Sequence, residues 1–269
     1  MIIVYGIQAQ DMSFWADAMI NSSNPEHRLL ASDKFKESFD VSIKKENSFN
    51  NSFEELSWIS VQYPADTSFR IISWQIEGSD SEYLYYGYFQ NADQLIPFNT
   101  ANGNDGLDEY DHINLSNWSG ALVYRILQND DSYMLWTFRF KDEYTKVKTC
   151  EPIIISSNSV RLGDPIFQEE EGSPNYMSRH ILQYSADMNG TLDYYDETNR
   201  IVFDNLIMVA GRMEGQGMTY VADGSYRSFD FTDGKWKAKT KLFNQVSDRA
   251  PRVRGRSTGG KDLFGRKGG

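Results

Sequence analysis

The chain has 269 residues, of which 40% are hydrophobic and 14% aromatic, so it can bury a sizeable core and wholesale disorder is excluded. Its formal net charge is −11, and an acidic folded part repels nucleic acid phosphates and anionic membrane surfaces. Cys150 is the single cysteine, which excludes an intrachain disulfide and a zinc site built on several cysteines.

Residues 1–10 resemble the last part of a secretory signal peptide. A short apolar run is followed by small and polar residues that suit cleavage after Ala9 or Gln10. The basic region that opens such a peptide is missing, so we expect the start used here to lie inside a longer signal peptide. The alternative is a first β-strand from Ile2 to Tyr5. The rest of the chain has no apolar run near the length of about 18 residues that a spanning helix needs.

Residues 11–50 are predicted to be an N-terminal helical segment. Asn24 can cap a helix that has Pro25 in its first position and an acidic residue next to it. Phe35, Phe39 and Ile43 follow at a spacing of four, which places them in one apolar stripe. This segment therefore should pack one face against the rest of the molecule.

Residues 51–246 form the predicted β domain, because the apolar period changes to two. The clearest element is the hairpin within residues 68–90, where seven of 23 residues are aromatic. A four-residue loop would place Trp74 opposite Tyr85, with Tyr86 and Tyr88 on the other face. Both faces carry apolar groups, so we expect this hairpin inside a sheet and not at its edge.

Further strands are predicted between residues 121 and 239, separated by Asn, Asp and Gly turns. No fixed repeat length indicates a propeller. The predicted fold class is mainly β: an antiparallel meander that forms a barrel or a sandwich, with an N-terminal helical pair against it.

Residues 91–118 are predicted to be a long loop rich in Asn, Asp and Gly, and long loops often carry function. Asp105, Asp108 and Asp111 are the candidate calcium ligands, although their spacing is not that of an EF-hand. Asp108, Asp111 and His112 are also the candidate catalytic groups, because His112 has carboxylates as sequence neighbours. The alternative for both is a solvated acidic loop.

Adjacent tyrosines are the stronger lead to a binding surface. Where two tyrosines follow each other in a strand, one ring should point away from the core, and an exposed tyrosine can stack on a sugar or anchor a protein. The candidate ligand-binding residues are Tyr86, Tyr88, Tyr194 and Tyr195. The alternative is that further elements cover both faces of these strands.

Residues 247–269 form a basic, flexible tail by composition. From Arg249 onward seven Lys and Arg residues stand against one Asp. Because the remaining chain is acidic and expected to be exported, we interpret this tail as a partner-docking or solubilising extension and not as a nucleic-acid segment.

Several short stretches resemble an uncharacterised family of exported β-rich proteins from Bacteroidota. They are Trp58–Asp66 (WISVQYPAD), Phe69–Ile71 (FRI), Trp74, Tyr86–Gln90 (YGYFQ), Ile181–Ser185 (ILQYS), Ile201–Asp204 (IVFD) and Asp223–Ser225 (DGS). The resemblance covers most of residues 11–240 and implies a periplasmic or envelope-associated protein. It brings no known activity and no catalytic residues.

The sequence thus favours a non-enzymatic module that binds a protein or glycan partner in the cell envelope through aromatic strands. It predicts no cofactor, with calcium as the one alternative considered. The competing hypothesis is a glycan-directed hydrolase that uses carboxylates of the 91–118 loop.

Overall fold

A computed structural model describes residues 3–79, 82–102, 105, 106, 108–129 and 132–243, with the side chains of 3–10, 102 and 241–243 left out. The predicted tail, 247–269, lies outside the described residues.

Two antiparallel helices open the fold: α1, Ile3–Asn21, and α2, Pro25–Ile43. The side chain of Asn24 accepts hydrogen bonds from the first backbone amides of α2, as predicted. Phe35, Phe39 and Ile43 are buried on one face of this helix, which confirms the predicted stripe. The alternative of a first strand at Ile2–Tyr5 is wrong, because α1 already includes Ile3 and runs without a break to Asn21.

Sixteen strands follow within the described part of the chain. They are β1 Ser60–Gln62, β2 Phe69–Glu77, β3 Tyr83–Asn91, β4 Leu95–Asn99, β5 Ile113–Asn114, β6 Leu122–Asn129, β7 Ser132–Asp142, β8 Thr145–Ser156, β9 Ser159–Leu162, β10 Phe167–Gln168, β11 Tyr176–Met177, β12 His180–Ser185, β13 Leu192–Tyr195, β14 Arg200–Ala210, β15 Met218–Thr232 and β16 Lys235–Phe243. Short 3₁₀ helices lie at Ser48–Asn50, Thr100–Asn102, Leu115–Asn117 and Asp196–Thr198.

The first sheet has the order β1-β2-β3-β4 and is antiparallel throughout. The 68–90 hairpin is therefore inside the sheet, as predicted. Its predicted register is wrong: Trp74 lies opposite Tyr86 and not Tyr85. The loop is one residue longer than expected, because it includes Glu82. The Glu82 carbonyl accepts a hydrogen bond from the Gly78 amide and closes the loop. A shift of one residue moves every side chain of β3 to the opposite face.

The 91–118 segment is also more regular than predicted. β4 pairs with β3 along its whole length, and β5 pairs with β9. The long loop is thereby reduced to the stretch between Thr100 and His112.

The second sheet has the order β5-β9-β8-β7-β6, with β12 pairing with the first half of β8. The third sheet has the order β11-β10-β16-β15-β14-β13. One pair in it, β10 with β16, is parallel, whereas all other described pairs are antiparallel. The sheets do not close into a barrel, so the fold is a β-sandwich with the helical pair added.

The layers are stacked in the order helices, first sheet, second sheet, third sheet, with a hydrophobic core between each two. Alternating residues of one strand pack into two different cores: Ile72 faces the helices, and Ile71 faces the second sheet. In the same way Leu135 faces the first sheet and Trp136 the third. Full burial of each such side chain stabilises the fold by about 1.5–3 kcal/mol, which explains why both faces of these strands are apolar.

Candidate functional site

The helical pair covers the first sheet only in part. Trp74, Tyr86 and Tyr88 point to the helix side of this sheet, and so do Pro97 and Asn99 of the neighbouring β4 by their register. Pro97 is nevertheless exposed, because the helical pair packs against β2, β3 and Leu95 of β4 but leaves the part of β4 around Pro97 open. The result is a groove of about 530 Å³ between α2 and β4, which we call the Tyr86 groove.

Two stacked rings line the Tyr86 groove. The rings of Trp74 and Tyr86 have their centroids 5.8 Å apart with an interplanar angle of 25°. Trp74 is 1% exposed, whereas Tyr86 is half-buried. The indole N–H of Trp74 finds no acceptor among the described residues. Trp74 therefore forms the buried part of the floor, and Tyr86 is the ring of this pair that a bound molecule could contact.

A cation borders the aromatic floor. The ammonium of Lys36 lies 4.4 Å from the centroid of the Tyr86 ring and 2.8 Å from the carboxylate of Asp33. Burial raises the pKa of the Tyr86 hydroxyl, and the charge of Lys36 opposes that rise. The hydroxyl therefore stays protonated at neutral pH and can donate a hydrogen bond.

The rim of the groove is polar and includes Glu82, Asn99 and Thr100. The Thr100 hydroxyl already has a partner within the protein, since it accepts a hydrogen bond from the Tyr85 amide at 2.7 Å. Asn99 accepts one from the Ala101 amide at 2.9 Å through Oδ1, which leaves its NH₂ group as the part that can donate. The groove thus combines a flat apolar floor with an amide donor and a carboxylate acceptor.

Gly87 makes this geometry possible. It lies opposite Phe98 in β3 and β4, and a Cβ at Gly87 would overlap both the Phe98 ring and the Ile72 carbonyl. The Phe98 ring therefore fills the space that a side chain would take, on the face directed to the second sheet. This packing keeps β3 and β4 close where they border the groove.

Tyr88 belongs mainly to the core. It is 8% exposed, its hydroxyl donates a hydrogen bond to the carboxylate of Asp40, and its ring lies 5.7 Å from that of Phe39. Tyr88 borders the groove but offers little surface to a ligand.

Tyr194 and Tyr195 lie in β13 of the third sheet, which the second sheet separates from the groove. Tyr195 is 50% exposed. Tyr194 is half-buried, donates a hydrogen bond to Asn199 at 2.9 Å and lies 5.4 Å from the Arg125 guanidinium. The four predicted ligand-binding tyrosines are therefore not brought together.

The acidic loop is held by a buried ion pair. Arg179 is completely buried; its Nε donates to the Glu151 carboxylate at 2.8 Å and its Nη1 to the Asp108 carbonyl at 2.6 Å. The Asp108 carboxylate is exposed and accepts from the Tyr110 amide, and a His112 ring nitrogen lies 3.1 Å from the Gly163 carbonyl. The backbone of Asp108 is thus fixed by Arg179, while its carboxylate stabilises the local turn by accepting the hydrogen bond from the Tyr110 amide.

Asp108, Asp111 and His112 are all exposed, and none of them lines the Tyr86 groove. Among the described side chains, no group of three or more His, Cys, Asp or Glu residues, Asp105, Asp108 and Asp111 included, is arranged to hold a metal ion.

Sequence reasoning gave little weight to Glu109, the one half-buried acid of this loop. Its carboxylate accepts a hydrogen bond from the Ile181 amide at 3.3 Å and lies 4.0 Å from His180 Nδ1. Burial raises the pKa of Glu109. No sequence signal distinguishes it from its acidic neighbours, because its burial depends on β12, which lies about 70 residues later.

Comparisons with known proteins give no family for this chain. No protein-family model matches it, and the comparisons with curated proteins and with solved structures find no match. Neither α1 nor α2 is long and apolar enough to cross a membrane.

Proposed function

We propose that this protein is a non-enzymatic binding module that holds a sugar unit of a glycan in the Tyr86 groove. The observation that carries the proposal is the stacked pair of Trp74 and Tyr86 at the base of an open, polar-rimmed groove. Sites for small molecules typically combine aromatic walls with a few placed polar groups.

The chemistry of the rim favours a sugar over a purely apolar ligand. The C–H face of a sugar can pack on an aromatic ring, while its hydroxyls both donate and accept hydrogen bonds. Asn99 can donate, Glu82 can accept, and the protonated Tyr86 hydroxyl can do both. The charge of Lys36 is balanced by Asp33, so the groove does not select for an anion.

The same rim argues against glycan hydrolysis in the groove. Hydrolysis by the common mechanisms needs two carboxyl groups on either side of the bond that breaks. Glu82 is the single carboxylate among the described residues that line the groove. We therefore place binding ahead of catalysis.

Export to the periplasm or cell envelope is part of this proposal and rests on the sequence of residues 1–10 and on the resemblance to exported proteins described above. N-terminal sequencing of the natively produced protein tests it. A mature chain that begins after Ala9 or Gln10 is the expected result, and a mature chain that retains Met1 contradicts it.

Glycan binding is tested by screening the purified full chain against an array of bacterial envelope glycans and then titrating the best probe by calorimetry. Tyr86→Ala should weaken binding at least about tenfold, since it removes the floor of the groove. Tyr195→Ala is the matched control, because it removes an exposed tyrosine from a strand remote from the groove, and it should bind as the wild type does. No binding to any glycan, or loss in the control with retention in Tyr86→Ala, contradicts the proposal.

A further inference from the structure

The third sheet carries an extension that is independent of the Tyr86 groove. Beyond Asp204, the last part of β14, Leu206–Ala210, pairs with the first part of β15, Met218–Ala222. Among the described residues these two segments pair only with each other. We call this two-stranded extension the arm. It begins at a β-bulge, where Asp223–Ser225 lie opposite Asn205 and Gly224 has a φ of 87°.

The arm is fixed at both ends. At its root the Asn205 amide donates to the Asp223 carboxylate at 2.8 Å. At its tip the Tyr144 hydroxyl donates to the Glu214 carbonyl at 3.1 Å, and the Gln216 amide donates to the Ser185 hydroxyl at 2.9 Å. Tyr144 lies in the turn between β7 and β8, and Ser185 ends β12, so the arm is held against the second sheet and presents a preformed surface.

This surface is apolar and exposed. Met218 is 65% exposed, Met208 57% and Tyr220 41%, whereas Ile207, 45% exposed, points to the opposite face of the arm. Met208 lies directly opposite Tyr220, and Ala210 opposite Met218, so four apolar side chains are contiguous on one face. Contiguous apolar patches on a protein surface mark interaction sites, whereas single exposed apolar residues do not.

The outer edge of the arm is likewise without a paired strand in the part of the chain that the structure describes. Met218–Ala222 pair with no strand on the side away from β14 among the described residues. Natural sheets protect such edges with lysine, proline or inward charges, and Met218–Ala222 contain none of these. An uncharged edge beside an apolar face is the combination that pairs with another strand.

We propose that the arm is the contact surface for a second copy of this chain. Charge restricts where two copies of this chain can meet: its net charge is −11, so the acidic surfaces of two copies repel each other. Leu206–Ala210 and Met218–Ala222 carry no charge at all, and here two copies can meet without repulsion. An antiparallel strand edge is also self-complementary, since a two-fold axis through its centre pairs it with its own copy.

The dimer should be weak. A stable interface buries roughly 800 Å² on each partner, and one short arm offers less than this. We expect a dissociation constant on the order of 10 µM, which is typical of small interfaces.

Sedimentation velocity of the full chain over about 1 to 200 µM tests the proposal, because this range spans the expected dissociation constant. The wild type should shift from monomer to dimer, and the variant M218K/Y220K should remain a monomer. Both side chains are exposed, so the variant should fold, which its circular dichroism and thermal melting would verify. Phe14→Lys, at a residue 62% exposed on α1, is the matched control and should dimerise like the wild type.

Two outcomes overturn the proposal. A wild type that stays monomeric over the whole range means that another partner, or another part of this chain, occupies the arm. A variant M218K/Y220K that dimerises like the wild type places the contact elsewhere. Glycan binding by this variant should be unchanged in either case, since the arm and the Tyr86 groove lie in different layers, so the two proposals fail separately.

Discussion

The Tyr86 groove and the acidic loop around Asp108 both contain residues that the sequence predicts as candidate site residues, and the two regions differ in the structure. The loop is acidic and contains a histidine, which are features of a catalytic site. However, its backbone is held by Arg179, and the exposed Asp108 carboxylate accepts a hydrogen bond within a turn. The strands at the groove are aromatic, as core strands are, yet the stacked rings of Trp74 and Tyr86 border an open space.

The difference lies in what covers each region. A loop with many polar groups can be tied down by a single buried cation, because every donor of a guanidinium seeks an acceptor. A sheet of four strands is wider than the helical pair that covers it, so part of β4 is left open beside α2. Residue type alone therefore does not separate a functional surface from a structural one.

The largest expected effect on stability comes from substituting Arg179, which tests whether this arginine holds the acidic loop. Arg179→Leu leaves the buried Glu151 carboxylate unpaired, and we expect a loss of about 3–5 kcal/mol in the free energy of unfolding. Urea denaturation measures it. The double variant R179L/E151L should recover much of the loss, since neither charge is then left alone.

Arg161→Leu is the control for this change, because Arg161 pairs with Asp164 at 3.5 Å with 38% of its side chain exposed. An exposed pair should cost less than about 1 kcal/mol. If Arg179→Leu costs no more than this control, Arg179 does not hold the loop.

On the side of the groove, the corresponding change is Gly87→Ala. The new methyl group would meet the Phe98 ring and a backbone carbonyl that cannot move aside, so we expect a loss of about 2–3 kcal/mol in unfolding free energy and weaker ligand binding. At Gly78 the nearest atom to a new Cβ is 3.5 Å away. Gly78→Ala should therefore change stability by less than about 0.5 kcal/mol, and equal effects at the two glycines would contradict the packing described.

A smaller effect concerns the pH dependence of the loop region. Burial lowers the pKa of His180 to about 3, against about 6.5 in the unfolded chain. The unfolded state therefore binds the proton first, and stability falls as the pH drops below about 6.5, by up to roughly 2 kcal/mol at pH 5 from this group.

His180→Phe tests this dependence without breaking a hydrogen bond, since neither ring nitrogen has a partner among the described residues. The variant should lose less stability than the wild type between pH 7 and pH 5, measured by urea denaturation at each pH. Identical pH profiles would show that His180 is not kept neutral by burial.

The smallest effect should come from the loop acids themselves. The double variant D108N/D111N keeps an oxygen that can accept from the Tyr110 amide, so its stability should change by less than about 0.5 kcal/mol. Glycan binding, measured by the same calorimetry, should be unchanged. A loss of binding here with full binding in Tyr86→Ala would move the site from the groove to the loop.

The local signals of the sequence predicted much of the fold. The cap at Asn24 and the stripe of Phe35, Phe39 and Ile43 are confirmed, because a cap and a four-residue spacing involve neighbours in the chain. The hairpin between β2 and β3 is confirmed for the same reason. Its register is not, since one residue of loop length decides which tyrosines face the helices.

The sequence by itself determined that this protein has two N-terminal helices followed by paired strands with two apolar faces. Only the tertiary structure decided that Tyr85 and Tyr88 are core residues, that Tyr86 borders a groove and that Arg179 holds the acidic loop. The physical reason is distance along the chain. The helix that leaves part of β4 uncovered and the arginine that fixes Asp108 each lie about 50 to 70 residues from the groups they affect. A local sequence pattern contains no information on such contacts.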